Sequence, residues 1–133
     1  MDGGVYIAVF RLTRARRIAI GRLGRFAFPA GVYLYVGSAQ RNRDARLARH
    51  ARRRKPLRWH IDYLSTKADM LGAILLPGRK ARECAVAEEL ARTVARPVAR
   101  FGASDCRCGG HLFHAPALPG DRPVAPATGG AGA

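Results

Sequence analysis

Two neighbouring stretches of the sequence carry side chains that could handle a phosphodiester. Tyr33 and Tyr35 stand two apart among strand-forming residues, so they should share one face of a strand that ends at Gly37. The segment that follows carries a row of basic side chains at helical spacing, namely Arg46, Arg49, His50 and Arg53. Arginine can neutralise phosphate charge as it builds in a transition state. Taken alone, such patterns are more typical of an ordinary aromatic strand and a solvated basic helix face.

Residues 59–63 form a further polar group with two interpretations. On a helix, Trp59 and Tyr63 would be neighbours one turn apart and could simply pack together. His60 could instead orient a phosphate or carry a proton, because histidine changes charge near neutral pH. Judged from these residues alone, structural packing is the more probable role.

The three cysteines and one histidine form a further group of candidate ligands. Cys106, Cys108 and His111 are close in sequence, and Cys84 precedes them on a predicted helix. Four such ligands would suit tetrahedral zinc, which would then be a structural ion. Free cysteines are more often small buried apolar residues, and this stretch could also form a wall of the site. An odd number of cysteines makes a disulfide framework improbable.

Alternating and helical apolar patterns predict the elements that must position these groups. Strands are predicted over Gly4–Leu12, near Ile18–Ile20 and Phe26–Phe28, over Val32–Gly37, and as a buried strand over Met70–Leu76. Helices are predicted over Arg41–Lys55, Leu57–Leu64 and Arg79–Val94. Phe101–Phe113 is predicted as a loop with a short closing strand. The fold class expected is α+β, with a small, mostly antiparallel sheet flanked by helices.

Composition narrows the class of protein. The 133 residues suit one domain, and we expect it over residues 1–114, with a disordered Ala/Pro/Gly tail over 115–133. No apolar run reaches the roughly 18 residues of a membrane span, and no secretory signal is visible, so we expect a cytoplasmic protein without a membrane partner. The 24 basic and 9 acidic residues give a net charge of +15, and 21 of the basic residues are arginine. Such a charge favours nucleic acid as partner, although codon usage could also enrich arginine.

Several motifs in order resemble the GIY-YIG nuclease superfamily. The motifs are Gly4-Val5-Tyr6, Tyr35-Val36-Gly37-Ser38 and Arg46-Leu47-Ala48-Arg49-His50. The resemblance covers roughly residues 3–114 and is greatest to a small, poorly characterised branch sometimes grouped with endonuclease III. The markers of that branch are Tyr33–Ala39, Trp59–Leu64, Glu83-Cys84, Ser104–Cys108 and His111–Phe113.

The resemblance implies a metal-dependent endonuclease that hydrolyses phosphodiester bonds in DNA. Its centre would be Tyr6, Tyr35, Arg46 and Glu83 with one divalent cation, Mg²⁺ or Mn²⁺, and Glu88 is the alternative carboxylate. His50 and His60 are further candidate catalytic residues. The residues expected to bind nucleic acid are Ser38, Arg41, Arg43, Arg49 and Arg53.

The spacing of the first two motifs predicts an insertion. Tyr6 and Tyr35 are 29 positions apart, wider than is usual in the superfamily, and the two short strands between them could form an extra hairpin. Two other functions stay open at this point. One is a nucleic-acid-binding module without cleavage, and the other is a zinc-stabilised structural or interaction domain.

Overall fold

The alternating apolar residues of the first segment form the central strand of the sheet. The structure is a computed structural model and describes residues 3–78, 81–92, 101 and 110–115. The strands are β1 (Gly4–Leu12), β2 (Arg16–Ile20), β3 (Gly24–Phe28), β4 (Gly31–Ala39), β5 (Asp69–Leu76) and β6 (Leu112–Ala115). The helices are α1 (Arg43–Ala51), α2 (His60–Ser65) and α3 (Ala81–Leu90), and a 3-10 turn spans Gly21–Leu23.

The main sheet has four strands in the order β5-β1-β4-β6, and every pairing in it is antiparallel. In the central pair, Tyr6 of β1 lies opposite Gly37 of β4. The predicted α+β class with a mostly antiparallel sheet is therefore confirmed. The predicted closing strand is β6, which pairs with the outer edge of β4.

The insertion between β1 and β4 is a hairpin. Strands β2 and β3 pair with each other as a separate two-stranded sheet. Ile18, Ile20 and Phe28 turn inward and are buried in the main core, which ties the hairpin to the domain. The inserted hairpin predicted from the spacing of the two tyrosine motifs is present.

The two faces of β1 serve two apolar clusters. Tyr6, Ala8 and Phe10 face one cluster, which also holds the buried side of α2. Val5 and Ile7 face the other, where Ala87 of α3 packs. Because residues two apart on a strand point to the same side, the alternation along β1 predicts this division, and the structure shows it.

Met70–Leu76 forms a strand as predicted, but the prediction that this strand is buried is wrong. Strand β5 lies at the edge of the sheet, and its side chains Leu71, Ile74 and Leu75 are between 43% and 50% exposed. A continuous apolar run is typical of a strand covered on both faces. Among the described strands, β1 alone pairs with β5, and the described helices leave much of β5 open.

The helices are shorter than predicted because local hydrogen bonds end them early. Helix α1 begins after Asn42, whose φ of 58° is left-handed, and the Lys55 ammonium donates to the carbonyls of Arg49 and His50 at its far end. The Asp62 carboxylate accepts two backbone N–H groups just ahead of α2, so that helix begins at His60 rather than Leu57. The predicted helix Arg79–Val94 is described as α3 between Ala81 and Leu90.

Some predictions fall outside the described residues. They concern Cys106, Cys108, the tail beyond residue 115 and the ends of the last predicted helix. Among the described helices, none has the length and apolar character needed to cross a bilayer.

Candidate active site

Tyr6 is placed by a close approach between the two central strands. Its ring packs against the backbone of Gly37, its partner in the β1–β4 register. A Cβ built on Gly37 would lie 2.5 Å from the Tyr6 hydroxyl and 2.6 Å from the ring carbon that bears it. Only glycine leaves room for this ring, so the glycine of the second motif positions the tyrosine of the first.

The Tyr6 hydroxyl is held by a buried histidine from α1. A hydrogen bond of 2.7 Å joins it to Nε2 of His50. Burial lowers the pKa of His50 to about 4, helped by the charge of Lys55, so the ring is neutral at pH 7. Nδ1 of His50 is also buried and has no hydrogen-bond partner among the described residues.

Burial and arginine act in opposite directions on Tyr6. Desolvation raises the pKa of its hydroxyl above the ordinary value, and the charge and hydrogen bonding of Arg46 only partly offset that rise. Arg46 itself donates to the Ser38 carbonyl at 2.8 Å, which directs its guanidinium into the site. In the free protein Tyr6 therefore remains protonated at neutral pH.

Tyr35 stands on β4 at the same side of the sheet. Its ring meets the edges of His50 and Phe101, with centroids 5.8 Å and 6.2 Å away. Burial raises the pKa of its hydroxyl, and the charges of Tyr6 and Glu83 raise it further. Both motif tyrosines thus present protonated hydroxyls beside one guanidinium.

Glu83 is the acidic member of the site and is anchored at both oxygens. Ser38 Oγ donates to Oε1 at 2.5 Å. Nδ1 of His111, from the segment leading into β6, lies 2.8 Å from Oε2. These contacts fix the orientation of the carboxylate between β4 and β6.

These groups border one cleft of about 500 Å³. Several residues expected to act in catalysis or binding line it, namely Tyr6, Tyr35, Ser38, Arg41, Arg46, His50, His60 and Glu83. Gln40, Arg58 and Trp59 complete its polar wall. The alternative carboxylate Glu88 is exposed elsewhere on α3 and does not line the cleft.

Three arginines predicted to bind nucleic acid are engaged elsewhere. Arg49 forms a two-pronged ion pair with the buried Asp62, at 2.8 and 3.0 Å. Arg53 lies beyond the end of α1 and pairs with Asp69 at 2.8 Å. Arg43 donates to backbone carbonyls of β1 and β5. The predicted arginine row on α1 is therefore wrong as a single surface, because only Arg46 of that row faces the cleft.

The buried Asp62 explains why Arg49 is turned inward. Burial alone would raise the pKa of this carboxyl, but hydrogen bonds from Arg49 and from two backbone N–H groups outweigh it and hold the pKa below its ordinary value. Asp62 therefore stays ionised and draws the guanidinium against α2. Asp62 lies within the polar group 59–63, but the sequence does not reveal this role, because the partner of Asp62 lies 13 residues away.

Trp59 does not pack on Tyr63 as one interpretation held. It precedes α2, its ring lies 4.5 Å from the Arg49 guanidinium carbon and 5.0 Å from that of Arg46, and its edge meets His50. Two cation–π contacts therefore join the cleft wall to α1. Burial lowers the pKa of the neighbouring His60, so it too is largely neutral at pH 7.

The cysteine cluster is described only in part. Cys84 Sγ lies 3.8 Å from Nε2 of His111, so two of the four proposed zinc ligands are adjacent. The described ranges contain no group of three or more His, Cys, Asp or Glu side chains arranged to hold a metal ion. The contact of His111 with Glu83 was not foreseen, since no local sequence pattern joins these two residues.

Comparison with known families identifies the family of the chain. No curated protein and no solved structure matches the sequence. One family model does match, over residues 5–123, which includes Tyr6, Tyr35, α1, Glu83 and the cysteine cluster. This span is most of the chain, and the protein therefore belongs to the family described as domain of unknown function DUF123.

Proposed function

We propose that this domain is a metal-dependent endonuclease that hydrolyses phosphodiester bonds in DNA. The observation that carries the proposal is the convergence of two tyrosines, an arginine, a histidine and a glutamate from four separate elements on one cleft. The resemblance of these same positions to the GIY-YIG motifs supports it independently of the geometry.

The charge of the cleft favours an anionic substrate. Arg41, Arg46 and Arg58 line it, against one carboxylate, Glu83, among the described lining residues. Arg46 is held by the Ser38 carbonyl and needs no rearrangement to meet a phosphate. A guanidinium fixed in advance stabilises the extra negative charge of a phosphoryl transition state better than a mobile one.

The Tyr6–His50 pair supplies a route for the proton of the attacking water. Tyr6 is a weak base alone, because burial raises the pKa of its hydroxyl. A neutral His50, 2.7 Å away, can accept the tyrosine proton at Nε2 while the Tyr6 oxygen takes one from water. The water oxygen then bonds to phosphorus as the phosphorus–oxygen bond to the departing strand breaks.

The residues present fit a single hard divalent cation. Glu83 Oε1 accepts a hydrogen bond from Ser38, and Oε2 lies 2.8 Å from Nδ1 of His111; each oxygen keeps a lone pair that can meet a metal. Mg²⁺ is commonly held by one or two carboxylates, with water and substrate phosphate as the other ligands. When bound, the ion would act as a Lewis acid on the phosphate. Glu83 would hold it, and Ser38 and His111 would keep that carboxylate in place.

The test is cleavage of a labelled panel of nicked, branched, abasic and single-stranded DNA with Mg²⁺, Mn²⁺ or EDTA. We expect metal-dependent cutting that falls by at least about 100-fold in Arg46→Ala, the size seen when a preorganised charge stabiliser is removed. Glu83→Gln should lose cutting, whereas Glu88→Gln, on the same helix but outside the cleft, should retain it.

Two outcomes would contradict the proposal. Binding that weakens with salt, without cutting under any metal, would support a binding module on the same scaffold. Full activity in Glu83→Gln would show that the metal, or the chemistry, lies elsewhere. Circular dichroism and thermal melts of each variant separate a lost function from a lost fold.

A further inference from the structure

We propose that the β2–β3 hairpin is a phosphate-binding arm that holds duplex nucleic acid beside the cleft. The arm is residues 13–28. The proposal rests on the function proposed above, and it assigns substrate binding to residues that the sequence motifs do not include.

Every charged side chain of the arm is an arginine. Its five arginines are all exposed, namely Arg14, Arg16, Arg17, Arg22 and Arg25. The sequence has no acidic residue from Gly3 to Arg43, so no acid near them in sequence can neutralise them. Within the described ranges, none of the five forms an ion pair or a hydrogen bond through its side chain, unlike the arginines of α1.

The outer face of the arm is rich in arginine. The register places Arg17 opposite Ala27 and Ala19 opposite Arg25. The two arginines are therefore diagonal neighbours, about 7–8 Å apart at the backbone. The alanines between them are too small to hold a partner away, and each guanidinium can grip a phosphate with two parallel hydrogen bonds.

The arm adjoins the wall of the cleft. Strand β2 packs on α2, and Gly21 of the arm lies beside the ring of Tyr63. Helix α2 begins at His60, which lines the cleft. Six residues of helix span only about 9 Å, so a bound strand leaving the cleft reaches the arm within a few nucleotides.

A nucleic acid fits the arm better than a membrane does. The outward positions of β2 and β3 hold alanine and arginine, without the large apolar side chains that an interfacial membrane element inserts. Ile18, Ile20 and Phe28 point inward and are already buried. The exposed face therefore offers electrostatic binding alone, which suits a polyanion.

The experiment measures affinity for a labelled DNA duplex in EDTA by fluorescence anisotropy over about 0.05 to 0.5 M KCl. The variant is Arg17→Gln with Arg25→Gln. The control is Arg82→Gln on α3 with Arg92→Gln just after it, which removes the same net charge from exposed arginines that contact Pro77 and Glu89.

Loss of two phosphate contacts should make the slope of the logarithm of the association constant against the logarithm of salt concentration less negative by about 1.8. The affinity gap between the arm variant and wild type should then widen about 60-fold for each tenfold fall in salt concentration. The control should keep the wild-type slope apart from a small uniform effect of net charge. Equal slopes in the arm variant and the control would overturn the proposal.

Other outcomes are equally decisive. An arm variant that loses affinity for polyglutamate but not for the duplex would assign the arm to an acidic protein and overturn the proposal. Failure of the wild type to bind the duplex would also overturn the proposal. Failure of the nuclease assignment is separate, since it would appear as absent cutting in Mg²⁺ while the change of slope in EDTA persists.

Discussion

Gly37→Ala tests whether the second motif acts by making room for the tyrosine of the first. The added Cβ would lie 2.5 Å from the Tyr6 hydroxyl, 2.6 Å from its Cζ and 2.9 Å from Cε1. Tyr6 is only 1% exposed and belongs to a nine-residue strand paired on both sides, so it cannot rotate freely into solvent. The conflict must therefore move the ring or the strands.

The size of the effect follows from that geometry. An ordinary contact requires the ring to retreat by about 1 Å, and this would carry the hydroxyl beyond hydrogen-bond reach of His50, now 2.7 Å away. Overpacking of a core costs about 1–3 kcal/mol of unfolding free energy. Displacement of a reacting group by about 1 Å can cost roughly 100-fold in rate.

Gly72→Ala is the matched control. Gly72 is also a strand glycine, but its β5 position has nothing within 4 Å of an added Cβ, and its φ is not in the left-handed region. Alanine there should raise the unfolding free energy slightly, by up to about 1 kcal/mol. Urea denaturation of both variants gives the stabilities, and DNA cleavage with Mg²⁺ gives the rates. If Gly37→Ala is as stable and as active as Gly72→Ala, the reasoning about Tyr6 is refuted.

Three further predictions concern charge. His50 has a pKa of about 4 in the folded protein, against an ordinary value of 6.5. Its contribution to the unfolding free energy is therefore complete above pH 6.5 and is lost as the pH falls towards 4, by up to about 3 kcal/mol. Urea melts across that window should show a fall in unfolding free energy that His50→Gln reduces, and an equal fall in both proteins would contradict this. Asp62→Asn should cost about 3–5 kcal/mol in the same melts, because it leaves Arg49 without its buried partner; a loss below 1 kcal/mol would show that the pair is not needed. Arg53→Gln should change stability by less than about 1 kcal/mol, since that ion pair is half exposed on both sides, and a larger loss would refute that view.

Sequence patterns were most informative where the determining interactions are local. The alternation along β1 identified which side chains face each cluster, because neighbouring residues of a strand must point to opposite faces. The wide spacing of the tyrosine motifs predicted a hairpin, and the two short strands found there confirm it. Strand β5 was misjudged because its apolar run is local, whereas its exposure depends on which elements cover it.

The sequence named several residues that line the cleft, but not the contacts that connect them. Tyr6, Tyr35, Arg46 and Glu83 all line it, and their catalytic roles stay a prediction. What holds them there could not be read from the sequence. Glu83 is oriented by residues 45 positions before it and 28 after it, Ser38 and His111, and such contacts exist only once the sheet has assembled.

The distribution of arginine shows why net charge alone predicts a partner but not a surface. The helix that looked most like a binding face has committed two of its arginines, Arg43 and Arg49, to backbone carbonyls and to a buried carboxylate. The Arg49 guanidinium adds little attraction for a polyanion, because the Asp62 carboxylate largely cancels its field nearby. The arm shows no such pairing within the described residues, and its arginines keep their full charge. Within the described residues, the cleft mouth and the arm therefore both carry arginines that can attract a polyanion, and we expect a salt-dependent affinity to fall more in variants there than in the Arg82 and Arg92 control.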